Sequence, residues 1–107
     1  MFDRVLTQDG YSVTLVETAH EALVAIERMA FEIVVFDLNL PGEDAIQALH
    51  RIRSASQGSK ILVTFSRFLA GALNIAAAAG ATATLAKPIT ARELRYAIYR
   101  TIDPSGG

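Results

Sequence analysis

Two short unbroken apolar runs, IVVF at 33–36 and the KILVTF stretch at 60–65, constrain this chain more than any other feature. A strand with one wet face alternates polar and apolar residues, whereas a continuous apolar run marks a strand covered on both faces. Helical patterns surround both runs. Thr18 and Glu21 form a T-x-x-E capping box, and Ala19, Ala22, Leu23, Ile26 and Ala30 follow at a 3.6 period, predicting a helix over 19–30. Beyond Pro41-Gly42, Ala45, Ala48, Leu49 and Ile52 predict a helix ending near Ser54. Leu69, Ala72, Leu73 and Ala76 mark another, capped by Gly80. Thr90 and Glu93 repeat the capping box before a helix with Leu94, Ala97, Ile98 and Ile102 on one face. YSVTLV (11–16) and TATLA (82–86) read as further strands, and residues 2–9 as the end of a helix closed by Gly10.

A helix followed by four strand-helix units implies an α/β fold, a doubly wound parallel sheet with helices on both faces. The 107 residues fit one domain, and 51% apolar against 20% charged residues allow a true core. A formal charge of −1 leaves no basic excess to draw the chain to nucleic acid. Without cysteine there is neither a disulfide framework nor a thiolate metal site. No apolar run approaches the roughly 18 residues of a membrane span, and MFDRVLTQDG lacks the apolar core of a signal peptide. These features predict a soluble cytoplasmic domain over 1–103, with 104–107 as a tail or the start of a linker.

In an open parallel sheet, ligands bind beyond the carboxyl ends of the strands, where neighbouring loops converge. Asp37, Ser66 and Lys87 all fall at that end. Taken singly, Asp37 has a lesser reading as a turn or helix-start carboxylate, and Lys87 reads first as a solvated loop lysine. Their convergence on one rim favours a reactive site.

The residues also carry a family likeness. Through GYSVTLVETAHEALVAIE, IVVFDLNLPGEDA and AAAAGATATLAKPITARELRYAI the chain resembles the receiver domain of bacterial two-component response regulators. The most specific elements are the D-L-x-L-P-G loop and the G-A-x-x-x-L-x-K-P ending. The resemblance implies a flavodoxin-like fold in which Asp37 accepts a phosphoryl group from a histidine kinase or histidine phosphotransfer protein. It implies that Lys87 pairs with a phosphoryl oxygen, and that Asp37 with the main-chain carbonyl of Asn39 helps hold Mg²⁺. By the same likeness the Lys87-Pro88 bond is a candidate cis peptide. Such a domain is a signalling phosphoacceptor and not an enzyme in the ordinary sense. The haloacid-dehalogenase phosphatases also use a strand-end Asp, but they place a second Asp where this chain has Asn39, so that class is set aside.

Three departures from the family bear on function. The family opens with a strand ending in an acidic pair and then a full first helix, whereas MFDRVLTQDGYSV matches only the second half of that helix and the next strand. The first strand and half of the first helix, about 15 to 20 residues, are thus expected to be absent. That strand is central in the usual 2-1-3-4-5 order. Its carboxylates would supply most of the protein charge for Mg²⁺, so the chain as written is expected to take a phosphoryl group poorly. Counting back from Gly80 and Lys87, the family's Thr or Ser position falls on Phe65, flanked by Thr64 and Ser66, which point to the opposite face. The switch aromatic of the family is replaced by Thr84.

Two functions therefore compete: a phosphoacceptor, and a pseudo-receiver that serves as a phosphorylation-independent interaction or dimerisation module. The face of the last helix bearing Arg92, Arg95, Tyr96 and Tyr99 is a candidate partner surface, against the alternative of a solvated face. A homodimer through that helix, or by strand exchange, belongs to the same set of expectations. If the chain folds alone, YSVTLV and IVVF must either close up side by side or leave backbone groups unpaired.

Overall fold

A computed structural model of the chain describes residues 2–39, 44–66 and 80–102. Along it run α1 (Phe2–Gln8), α2 (Ala19–Arg28), β1 (Ile33–Asp37), α3 (Ala45–Ala55), β2 (Lys60–Ser66), β3 (Ala83–Lys87) and α4 (Ala91–Ile102). The Pro41-Gly42 turn, the helix expected around Leu69–Ala76 and the 104–107 tail lie outside the described residues.

Local chemistry explains where the helices begin and end. After α1, Gly10 takes a φ of +93°, and the Tyr11 N–H reaches back 3.0 Å to the Leu6 carbonyl, a six-to-one closure that needs a left-handed residue before it. The Thr18 hydroxyl accepts the Glu21 N–H at 3.1 Å, while the Glu21 carboxylate accepts the Glu17 N–H. At α4 the box is reciprocal: Glu93 N–H to Thr90 at 3.1 Å, Thr90 N–H to Glu93 at 3.2 Å. Helix α2 stops at Arg28 and not at Ala30, because Met29 is already extended. Asp44 caps α3 through the Gln47 N–H at 3.2 Å. The Lys60 ammonium donates to the Ile102 carbonyl at 2.7 Å, placing a cation on the negative end of α4.

The sheet has the order β1-β2-β3, with both pairs parallel. Strand β2 is central, and its run Ile61–Phe65 is buried throughout, as an unbroken apolar strand requires. Side-chain alternation divides the interior into two layers. On one face Ile61, Val63 and Phe65 pack with Phe36, Leu49 and Ile52, beneath α2 and α3. On the other, Leu62 packs with Leu94 and Ile98 of α4 and with Val5 and Leu6 of α1. Helices thus cover both faces, the doubly wound α/β arrangement expected from the sequence.

The expected strand at 11–16 is not one. The segment is irregular, and past the Tyr11 N–H its backbone makes no hydrogen bond among the described residues. Nor is β1 covered on both sides: β2 is its one described neighbour, and Val35 is 37% exposed. Residues 11–16 and β1 have not closed up. An alternating, β-rich sequence becomes a strand only beside a partner edge, and none of the described strands lies between these two segments.

Gly80, just before β3, has a φ of +108°, and a Cβ there would lie 2.8 Å from Arg53 Cγ on α3. Gly80→Ala is expected to lower the unfolding free energy by about 1–3 kcal/mol, combining left-handed strain with displacement of the Arg53 side chain. Urea unfolding reads this directly, and an unchanged midpoint would mean that the turn rebuilds without penalty.

Candidate functional site

Because all three strands are parallel and aligned, their carboxyl ends meet on one rim. Asp37 closes β1, Ser66 closes β2 and Lys87 closes β3, with Asp37 level with Thr64 and Ser66 level with Lys87. The Leu38 N–H continues the β1–β2 ladder one step, donating to the Thr64 carbonyl at 2.9 Å, and the Leu38 side chain is buried. A fixed strand end thus carries Asp37.

The structure brings Asp37 and Lys87 together: Lys87 Nζ donates to Asp37 Oδ2 at 2.6 Å. The other carboxylate oxygen, Oδ1, accepts the Asn39 N–H at 2.9 Å, an Asx turn over two residues. Asp37 is therefore both the turn former and the partner of Lys87, roles that looked like alternatives in the sequence. Asn39 contributes more than its main chain, since its side-chain Oδ1 accepts the Ser66 N–H at 3.0 Å and ties the β1 loop to the end of β2. Nothing local in the sequence signals that bond. The Lys87-Pro88 peptide is cis.

Exposure shows what the pair is suited to. The Asp37 side chain is 40% exposed and that of Lys87 34%, so the ion pair contributes only about 0–1 kcal/mol to stability. Its stronger effect is positional. A carboxylate open to solvent, with an ammonium on one oxygen, can attack an electrophile while the lysine offsets negative charge gathering beside it.

Phe65, at the position where the family resemblance implies a hydroxyl, is 4% exposed and part of the α2/α3 layer. Thr64 is buried at 2% on a side chain alternating with it. Ser66 is the hydroxyl residue that the sheet register places on the rim, level with Lys87. Thr84 lies in β3, level with Val63 of β2 and half-buried.

The residues described here do not make a Mg²⁺ site by themselves. Mg²⁺ asks for near-octahedral oxygen ligation through one or two carboxylates with several waters. The rim offers the Asp37 carboxylate, already engaged at both oxygens, and the Asn39 carbonyl. Among the described residues, no group of three His, Asp or Glu side chains is close enough to hold a metal.

On α4, Tyr96 is 64% and Tyr99 49% exposed. Arg95 is committed inside the chain, its Nε donating to Asp9 Oδ2 at 2.8 Å and clasping α4 to the end of α1. This narrows the expected partner face.

Comparison with known proteins gives a consistent picture. The family model of the response regulator receiver domain matches residues 1–99. Response regulator MprA of Mycolicibacterium vanbaalenii is 32% identical over 107 residues, 97% of this chain and 46% of that protein. The sensory/regulatory protein RpfC of Xanthomonas campestris is 29% identical over 88% of this chain, which spans only 14% of that protein. A CheY-like receiver domain protein from Methanospirillum hungatei superimposes with a TM-score of 0.88 at 27% identity, covering 96% of this chain and 82% of that one. The receiver domain of sensor histidine kinase PA1611 from Pseudomonas aeruginosa, solved with magnesium in its active-site cleft, gives 0.80 at 30% identity over 94% and 84%.

Proposed function

We propose, from the premise that this chain belongs to the response regulator receiver domain family, that Asp37 is its phosphoacceptor and that the donor is a phosphohistidine on a histidine kinase or histidine phosphotransfer protein. The observation that carries the reading is the Lys87 Nζ held 2.6 Å from Asp37 Oδ2 at an open strand end.

The step is an in-line displacement. An Asp37 carboxylate oxygen attacks phosphorus, the phosphorus–nitrogen bond breaks, and its electron pair stays on that ring nitrogen, so that a phosphoimidazole already protonated at its other nitrogen leaves as neutral imidazole. Phosphoryl transfer relies on positioning and charge neutralisation more than on covalent help. Lys87 supplies the protein cation, moving from the carboxylate to a phosphoryl oxygen as charge builds there. The Asx turn and the Asn39–Ser66 bond keep the nucleophile from rotating away. The product is a mixed anhydride, a signalling mark and not a released product.

A second reading, the pseudo-receiver that binds partners or a second copy without phosphorylation, is favoured by Phe65 in the core, Thr84 in β3 and the thin oxygen set. Mass spectrometry after acetyl phosphate treatment separates the two. A phosphoryl increment confined to the peptide holding Asp37, however slowly it accumulates, supports the acceptor, and its complete absence after exhaustive treatment supports the pseudo-receiver. Lys87→Met is expected to slow labelling on the order of a hundredfold, as removal of a preorganised charge-stabilising donor does.

Metal dependence is expected to be weak in the 107-residue chain. Calorimetric titration with Mg²⁺ and beryllofluoride should show no tight binding, and micromolar affinity would overturn this. Among the described residues no helix is long and apolar enough to cross a membrane. A cytoplasmic domain, with dimerisation through α4 or by strand exchange, completes the proposal.

A further inference from the structure

We infer that copies of this chain associate head to tail, the basic outer face of α4 on one copy docking against the acidic outer face of α2 on the next. The inference rests on the α4 contact proposed above, to which it assigns a mate, and it is independent of phosphoryl transfer at Asp37.

A formal charge of −1 conceals a sharp division along the chain. Residues 1–44 hold nine acidic and two basic side chains, whereas residues 45–107 hold eight basic and two acidic. The fold keeps the two halves apart. Strand β1 ends the sheet on one side and β3 on the other; α2 lies beside β1, while α4 packs on Leu62 of β2 and on Ala83 and Leu85 of β3. The molecule is therefore electrically polarised, and the unlike ends of two copies attract.

Two exposed patches concentrate this charge. On α4, Arg92, Tyr96, Tyr99 and Arg100 recur at i, i+4, i+7 and i+8, forming an outward stripe opposite the buried Leu94 and Ile98. On the other patch, Glu17 precedes the cap of α2, and Glu21 and Glu27 follow on its exposed side, with Arg28 the one arginine or lysine of that helix. None of Glu17, Glu21, Glu27, Arg92 and Arg100 forms an ion pair among the described residues.

Shape supports the same pairing. Beside Glu21, between α2 and residues 14–16, lies a cavity of about 380 Å³ whose apolar wall is Val16, Val24, Ala25, Met29 and Phe31. A cavity of about 150 Å³ accepts benzene, so this one has room for the ring of Tyr96. Tyr96 is 64% exposed and Met29 55%, so each patch sets an apolar group among its charges. Tyrosine and arginine are the residues that most often anchor an interface.

The placement of the patches selects a head-to-tail contact. Helix α2 covers one face of the sheet and α4 the other, so the two patches cannot meet within one molecule. A symmetric α4–α4 contact would instead set arginines against arginines, and like charges repel. A head-to-tail contact leaves one patch of each kind open at the ends, so association continues past the dimer.

The test is sedimentation equilibrium of the 107-residue chain in low salt. Exposed ion pairs are individually weak, so a Kd on the order of 100 µM is expected, with the average mass rising past that of a dimer. Raising NaCl to about 0.5 M should weaken association at least about tenfold. Glu17→Lys with Glu27→Lys spares the Thr18–Glu21 box, and Arg92→Glu with Arg100→Glu spares the Arg95–Asp9 clasp. Each double variant alone should be monomeric, and an equimolar mixture should regain association, because each supplies the native patch the other lacks. A mixture that stays monomeric would overturn the inference. Association that survives the α2 substitutions would also overturn it while leaving an α4–α4 dimer standing, and association indifferent to salt and to both variants would assign the contact to strand exchange. A parent chain that is monomeric up to about 0.5 mM in low salt would overturn this inference and the α4 contact together. The salt arm uses the parent chain alone, so a variant that fails to fold does not shield the inference.

Discussion

Asp37→Asn is expected to abolish phosphoryl labelling completely while leaving the chain folded. A carboxamide oxygen is too weak a nucleophile to open a phosphoramidate or acyl phosphate, and its attack product could not persist as a stable mixed anhydride. The substitution keeps shape and one key contact, because the side-chain carbonyl can still accept the Asn39 N–H that closes the Asx turn. What it loses is the ion pair with Lys87, half-open to water and worth at most about 1 kcal/mol. Activity and stability should therefore separate: no hydroxylamine-sensitive label by mass spectrometry, and a urea midpoint close to that of the parent. Label surviving in the variant would put the acceptor elsewhere. A large loss of stability would mean instead that the pair is structural, and that the Asp37–Lys87 geometry says little about chemistry.

What was legible in the sequence was what is local or periodic. Gly10, the boxes at Thr18–Glu21 and Thr90–Glu93, and the apolar run at Ile61–Phe65 each state their structure within a few residues, and each is found where expected. YSVTLV has the right alternation and β-rich composition, yet strand formation is a property of a pair of edges, and the neighbour decides it. Val35 is misjudged for the same reason: an apolar run shows that a strand can be covered on both faces, not that something covers it. At the rim, Asp37 and Lys87 were predictable because parallel topology sends strand ends to one side, although fifty residues separate them. The bonds from Asn39 to Ser66 and from Arg95 to Asp9 join loops and helices across long separations, with no periodic trace in the sequence.

Phe65→Ala is expected to be the most destabilising single truncation near the site, costing about 3–5 kcal/mol. The ring is 4% exposed, beside Ile61 and Val63 on β2 and packed in the layer that includes Phe36, Leu38 and Leu49. Removing it forfeits the transfer free energy of the ring and leaves a void that two helices and a sheet cannot fully close. Domains of this size hold only about 5–15 kcal/mol in total, and this one has a strand edge without a described partner, so the loss should bring unfolding into the range of mild urea. Phe65→Leu, which refills much of the volume, should cost far less and serve as the measurable intermediate if the alanine variant does not stay folded. Phe65→Thr places a hydroxyl at the position where the family resemblance implies one, and so tests whether the ring is ballast or a replacement. If Phe65 has taken over a structural role, the Thr variant loses stability nearly as Ala does and gains no labelling rate. A Thr variant that is as stable as the parent and labels faster would show that the hydroxyl position is still wired to Asp37.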